Sequence, residues 1–282
     1  MATKPVSAID KQSVVVKLTK ALGRAFETPQ NVSSLPFLEL LLYAICAENV
    51  DHDSAQRAFE RLRRSFLDWN EVRVTTLAEL ENVLGQLPDG AAKSLRIKHL
   101  LMHVYDHQYS YIMDSVRKRT IESIHRQLSR IKYLTPFVRN YAIQIGLAAH
   151  VLPFDRCMLD VVVWLGLIPV GVREDDASEL LKPLVKKPDG VNFCFLIKSF
   201  SVSKHFVRVW KANAGSGEAI GELESAPNRL QAALSGDSAS ATGALHRQKG
   251  ERLTIARKPR AKSPTKDSAS VSRKNNRQSP EK

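Results

Sequence analysis

The stretch Tyr141-Ala-Ile-Gln-Ile-Gly-Leu-Ala-Ala-His-Val-Leu-Pro-Phe-Asp155-Arg-Cys-Met-Leu-Asp-Val-Val-Val-Trp-Leu-Gly-Leu167 sets Asp155 between two unusually apolar runs. Met158, Val161, Val162 and Leu165 follow it at i, i+3, i+4 and i+7, the spacing of one helix face. An aspartate just ahead of such a run is an N-cap, worth about 1 kcal/mol. The same position, beside a second buried helix, can hold a negative charge against a cation-like transition state. Capping and chemistry are compatible there.

The helical spacing extends outward. Leu38, Leu41, Leu42 and Ile45 repeat it, as do Ile121, Ile124, Leu128 and Ile131. Thr76 with Glu79, and Asp176 with Glu179, have capping-box spacing; Pro36 suits a first turn and Asp53 suits a cap for residues 54–66. No convincing alternating strand pattern occurs, although Val72 to Leu77 is too short to settle. The expectation is an all-α domain of nine or ten helices over residues 11–212, after a flexible N-terminus of residues 1–10. Residues 213–245, rich in Gly, Ser and Ala, read as a low-complexity linker, with a helical turn allowed at Asn228–Ala233. Residues 246–282 have almost no large apolar side chains and are expected to be a disordered basic tail.

Charge is uneven along the 282 residues. The formal net charge is +13, but residues 246–282 carry 12 Lys and Arg against 3 Asp and Glu, a net of +9. The remainder is only mildly basic. Within the tail Arg257, Lys258, Arg260, Lys262 and Lys266 interleave with prolines, and Ser263 and Ser279 each open a Ser-Pro-x-Lys step. Such an arm suits salt-sensitive contact with nucleic acid, in a narrow minor groove for example; phosphorylation of either serine would reduce its charge. The longest apolar runs are broken by Pro153, Asp155 and Asp160, and Met1–Ser13 has no signal-like apolar stretch. We expect an intracellular protein, cytoplasmic or nucleoid-associated, with no membrane partner. Cys46, Cys157 and Cys194 are isolated in apolar surroundings, so no thiolate metal site is expected.

Three segments, in order, resemble the helix-hairpin-helix DNA glycosylase superfamily, the group containing endonuclease III. They are Leu35–Asp51 with its Pro-Phe opening, Arg96-Ile-Lys-His-Leu-Leu, and Ile131–Leu167. The resemblance implies two all-α lobes with a DNA cleft between them, double-stranded DNA as partner, and Asp155 as the catalytic carboxylate. It also marks departures. In the ungapped register from Asp155, the family's glycine-rich hairpin falls on Tyr133-Leu-Thr-Pro-Phe-Val-Arg139, and its nucleophilic lysine on Phe137. Phenylalanine cannot form a Schiff base, so lyase activity is not expected from that position. The family's helix-end glutamine falls on Glu48, and its four-cysteine cluster loop is missing, so neither an iron–sulfur cluster nor another cofactor is expected. Lys132, Thr135 and Arg139 flank or form the hairpin and are the candidates for DNA contact in the folded part; Glu48 would oppose it.

Glycosidic cleavage of a nucleotide builds positive charge on the sugar, which a fixed carboxylate supports once the base has left the stack. The expected activity, where catalysis survives, is therefore a monofunctional DNA N-glycosylase using Asp155. The alternatives are an inactive relative that binds damaged or distorted DNA, and a chromosome-associated protein that meets DNA only through its tail. His99, His103 and His107 fall at i, i+4, i+8 and could line a metal site, but no Cys or HExxH partner accompanies them, and a polar helix face is the favoured reading.

Overall fold

A computed structural model of the chain describes residues 8–27, 35–213 and 222–236. Among them there are thirteen α-helices joined by short turns and 3-10 segments, with no strand. Among the described residues no helix is long and apolar enough to cross a membrane.

The centre is α2 (Phe37–Ala47), which buries ten of its eleven side chains. Each large aliphatic residue buried this way contributes about 1.5–3 kcal/mol. Around α2 lie α3 (His52–Ser65), α4 (Trp69–Val74), α5 (Leu77–Leu84), α6 (Gly90–Gln108), α7 (Ile121–Leu128) and α8 (Pro136–Leu147). Gly146 of α8 sits against Phe37 and Leu40, so the two helices approach closely where no side chain intervenes. A second group comprises α1 (Ala8–Ala25), α9 (Arg156–Trp164), α10 (Glu174–Leu181), α11 (Gly190–Ser201), α12 (Lys204–Asn213) and α13 (Ala226–Ser235). Here α11 packs on α9 and α1, while α10 touches both α8 and α9. The chain thus starts in the second group, builds the first, and returns.

Side chains close the helix ends. Asp51, rather than Asp53, caps α3 by accepting from Ser54 N (2.9 Å). Thr76 accepts from Glu79 N (3.2 Å), as its spacing suggests. Asp176 is no cap: α10 opens two residues earlier, and Asp176 pairs with Arg173 (2.9 Å). Arg61 donates to the carbonyls of Val83 and Leu84 at the end of α5.

One boundary moves. Part of the segment read as linker is folded: a 3-10 turn at Leu223–Ser225 leads into α13, whose Ala226, Leu230 and Ala233 are buried. Buried Arg229 donates to Trp164 O (2.9 Å), capping α9 from outside. The short Ala-rich helix is stabilised by this tertiary contact and by packing on α1 and α12. The tail candidates Arg257, Lys258, Arg260, Lys262 and Lys266, with Ser263 and Ser279, lie outside the described residues.

Candidate functional site

Asp155 stands at the seam between the two helix groups. It is the N-cap of α9, and Oδ1 accepts from Met158 N at 3.0 Å. Its Oδ2 accepts from Asn49 N at 2.8 Å, just beyond the end of α2. Asn49 adopts the left-handed conformation (φ +57°), which Asn tolerates better than most residues. Its own Oδ1 accepts from Cys157 N at 3.3 Å, so the end of α2 and the start of α9 are tied in both directions. Asp155 is 1% exposed.

The remaining partner of Asp155 comes from a third helix. Lys198 of α11 donates from Nζ to Asp155 Oδ2 in a close ion pair. The same Nζ lies 5.1 Å from the centre of the Phe137 ring, a cation–π contact. Asp155 is fully enclosed, whereas the Lys198 side chain is 13% exposed. Asn49 and Lys198 escape a reading by motif. Lys198 does leave a trace, since it is the single charged residue in the twelve of α11; its partner lies 43 residues away.

Beside this pair, the carboxylate of Glu48 is closely paired with Arg96 of α6. The charge that would oppose DNA is therefore matched within the protein. Lys93, also on α6, is 1% exposed and points its Nζ at the end of α2, donating to Ile45 O and Cys46 O (both 3.2 Å) and Glu48 O (2.6 Å). A buried ammonium here serves the unsatisfied carbonyls and the negative end of the α2 dipole. Its burial pushes its pKa down to about 8.

The hairpin is present without glycine. Residues 129–135 join α7 to α8, and Tyr133 takes φ +66°, a conformation glycine adopts freely and tyrosine at a cost. The ring, on a residue 47% exposed, packs at 4.8 Å from His99 and 4.9 Å from Lys132 Nζ. Within the turn Arg130 N, Ile131 N and Leu134 N donate to nearby carbonyls. Lys132 and Arg130 are exposed. Thr135 caps α8 through Val138 N (3.4 Å). Arg139 is turned inward: it donates to Leu134 O (3.1 Å) and pairs with Asp175 of α10 (3.0 Å). Its guanidinium joins the two helix groups and is not displayed on the hairpin surface. Phe137 is buried beneath Lys198.

The three histidines do not converge. His99 lies tilted against the Tyr133 ring, while His103 and His107 stack on each other at 4.0 Å. Among the described residues no group of three or more His, Cys, Asp or Glu could hold a metal ion. Cys46 and Cys194 are buried, and burial pushes both thiols up to about 12.

No protein-family model matches the chain. A curated Arabidopsis thaliana protein, provisionally named as a DNA glycosylase, is 22% identical over 168 residues, which is 59% of this chain and 56% of that protein's length. A structure of endonuclease III trapped as a covalent intermediate with DNA matches with a TM-score of 0.54 and 12% identity, covering 70% of this chain and 86% of the other. The 8-oxoguanine glycosylase/lyase of Clostridium acetobutylicum, solved with DNA, gives a TM-score of 0.48 and 10% identity over 68% and 69% of the two chains. The chain thus has, in divergent form, the all-α fold of the endonuclease III-like helix-hairpin-helix glycosylases.

Proposed function

We propose that this protein binds duplex DNA across the 129–135 hairpin and the α2–α9 seam, and that it hydrolyses N-glycosidic bonds with Asp155. The observation that carries the reading is the fixed position of Asp155 at the meeting of α2, α9 and α11, within a fold shared with endonuclease III. Two backbone N–H donors hold the carboxylate in one orientation, so little reorganisation is needed when charge builds on a sugar. Exposed Arg130 and Lys132 are the phosphate contacts we expect from the folded part, with the basic tail adding nonspecific attraction. Paired Glu48 and Arg96 stand beside the seam without net repulsion. The name of the Arabidopsis relative agrees with the reading.

A second reading, a binder of distorted or abasic DNA without excision, is favoured by one feature: Lys198 already neutralises Asp155. The two separate cleanly. Duplexes bearing single damaged bases are incubated with the full chain and with Asp155→Asn, and released base is measured by mass spectrometry. Gel shifts compare abasic, bent and intact duplexes. Release that disappears in Asp155→Asn supports excision; preferential binding to abasic or bent DNA without release supports the second reading. Neither release nor DNA binding would overturn both.

A further inference from the structure

Ahead of the basic tail, the excess positive charge is gathered in one place. Residues 117–132 carry six Lys and Arg against one Glu, a net of +5. The rest of residues 1–245 carry 24 Lys and Arg against 25 Asp and Glu, a net of −1. All six cations, Arg117, Lys118, Arg119, Arg126, Arg130 and Lys132, are exposed. Arginines of α3 are engaged by contrast: Arg61 serves the end of α5, while Arg63 and Arg64 face Glu39 and Glu60. Among the described residues no carboxylate pairs with any of the six. A face that is merely solvated mixes both signs; neighbouring cations of one sign repel each other, and a polyanion relieves that repulsion.

The charged stretch is continuous with the hairpin. Ile124 and Leu128 of α7 turn into the core, and Arg126 is left exposed in the last turn. Arg119 Nη1 donates to Gln127 Oε1 (2.8 Å), so its side chain lies along α7 toward the helix end, close in sequence to Arg130. The helix rises about 12 Å, the axial length of about three to four phosphates on one strand of a duplex.

We propose that Arg117, Lys118, Arg119 and Arg126 form a phosphate-binding strip for duplex DNA, which prolongs the hairpin contact of Arg130 and Lys132 along α7. The proposal rests on the DNA-binding reading above. It adds a surface on the α7 side of the hairpin, whereas Phe137 and the Asp155 pair lie on its α8 side. The strip holds the DNA backbone and reads no bases. Three of its four cations are arginines, whose planar forks suit phosphate oxygens. Each phosphate neutralised releases counterions and steepens the slope of log K against log salt concentration by about 0.9.

The test is fluorescence anisotropy of a labelled intact duplex of about 20 base pairs with the full chain, titrated from about 50 to 200 mM salt. One variant combines Arg117→Gln, Lys118→Gln and Arg126→Gln, which leaves the Arg119–Gln127 contact in place. A control removes the same charge from exposed positions of α1, through Lys17→Gln, Lys20→Gln and Arg24→Gln. Thermal unfolding establishes that each variant is folded. The slope should become shallower by about 2–3 in the strip variant and by about 1 in Arg126→Gln alone, and should stay that of wild type in the control. A wild-type slope in the strip variant, or an equal change in the control, overturns the strip and leaves the DNA reading standing. Failure of wild type to bind the duplex overturns the DNA reading itself.

Discussion

Replacing Lys198 with Met keeps most of the side-chain volume and removes the charge. Asp155 would then be an enclosed carboxylate held only by Asn49 N and Met158 N. Removing one partner of a buried ion pair costs about 3–5 kcal/mol. Two strong donors remain and Lys198 is slightly open, so the expected loss is about 3 kcal/mol, at the lower end of that range. Asp155→Asn should cost a similar amount for a different reason. Its amide oxygen can still accept from Met158 N, but its NH2 then faces two donors, Asn49 N and the Lys198 ammonium. In the double variant the ammonium is gone and only Asn49 N still faces the NH2, so the two losses should fall short of additivity by about 2 kcal/mol. Urea unfolding at pH 7 measures all four proteins. Single losses below about 1 kcal/mol that simply add would show instead a loose, solvated pair.

Four further outcomes follow from other contacts. Because burial lowers the Lys93 pKa from 10.5 to about 8, the folded protein binds fewer protons than the unfolded chain between those values, and stability rises with pH there. The advantage of wild type over Lys93→Met should grow across that window by up to about 3 kcal/mol, tempered by the three carbonyls that favour the charged amine; urea unfolding at stepped pH reads it. Arg229→Met leaves Trp164 O uncapped and loosens α13, and should cost about 2–3 kcal/mol in thermal unfolding. Gly146→Ala places a Cβ 2.8 Å from Phe37 Cδ2, so despite a gain of about 1 kcal/mol in helix propensity it should destabilise by about 1–2 kcal/mol overall. Deleting residues 246–282 should flatten the salt dependence of DNA binding, read as the slope of log K against log salt concentration.

The helices were legible because their apolar spacing is local, and so was the cap at Asp155. What was not legible depends on contacts distant in sequence. Arg139 beside a hairpin reads as a phosphate ligand until Asp175, 36 residues on, claims it. The helix α13 has one large aliphatic residue at its centre and Gly-rich flanks, and its order depends on Trp164, 65 residues earlier. Residues 129–135 hold no glycine, yet Tyr133 takes the left-handed conformation while its ring packs against His99 from another helix. A lone lysine in an apolar helix does announce an absent partner; only the fold shows that the partner is Asp155.

The proposed action of Asp155 on a nucleotide sugar is tested by free base liberated from damaged duplex DNA under single-turnover conditions. Wild type should release base from at least one lesion, and equally folded Asp155→Asn should release none above background. Equal release by both proteins, or none by wild type with DNA demonstrably bound, would exclude Asp155 as the catalytic carboxylate.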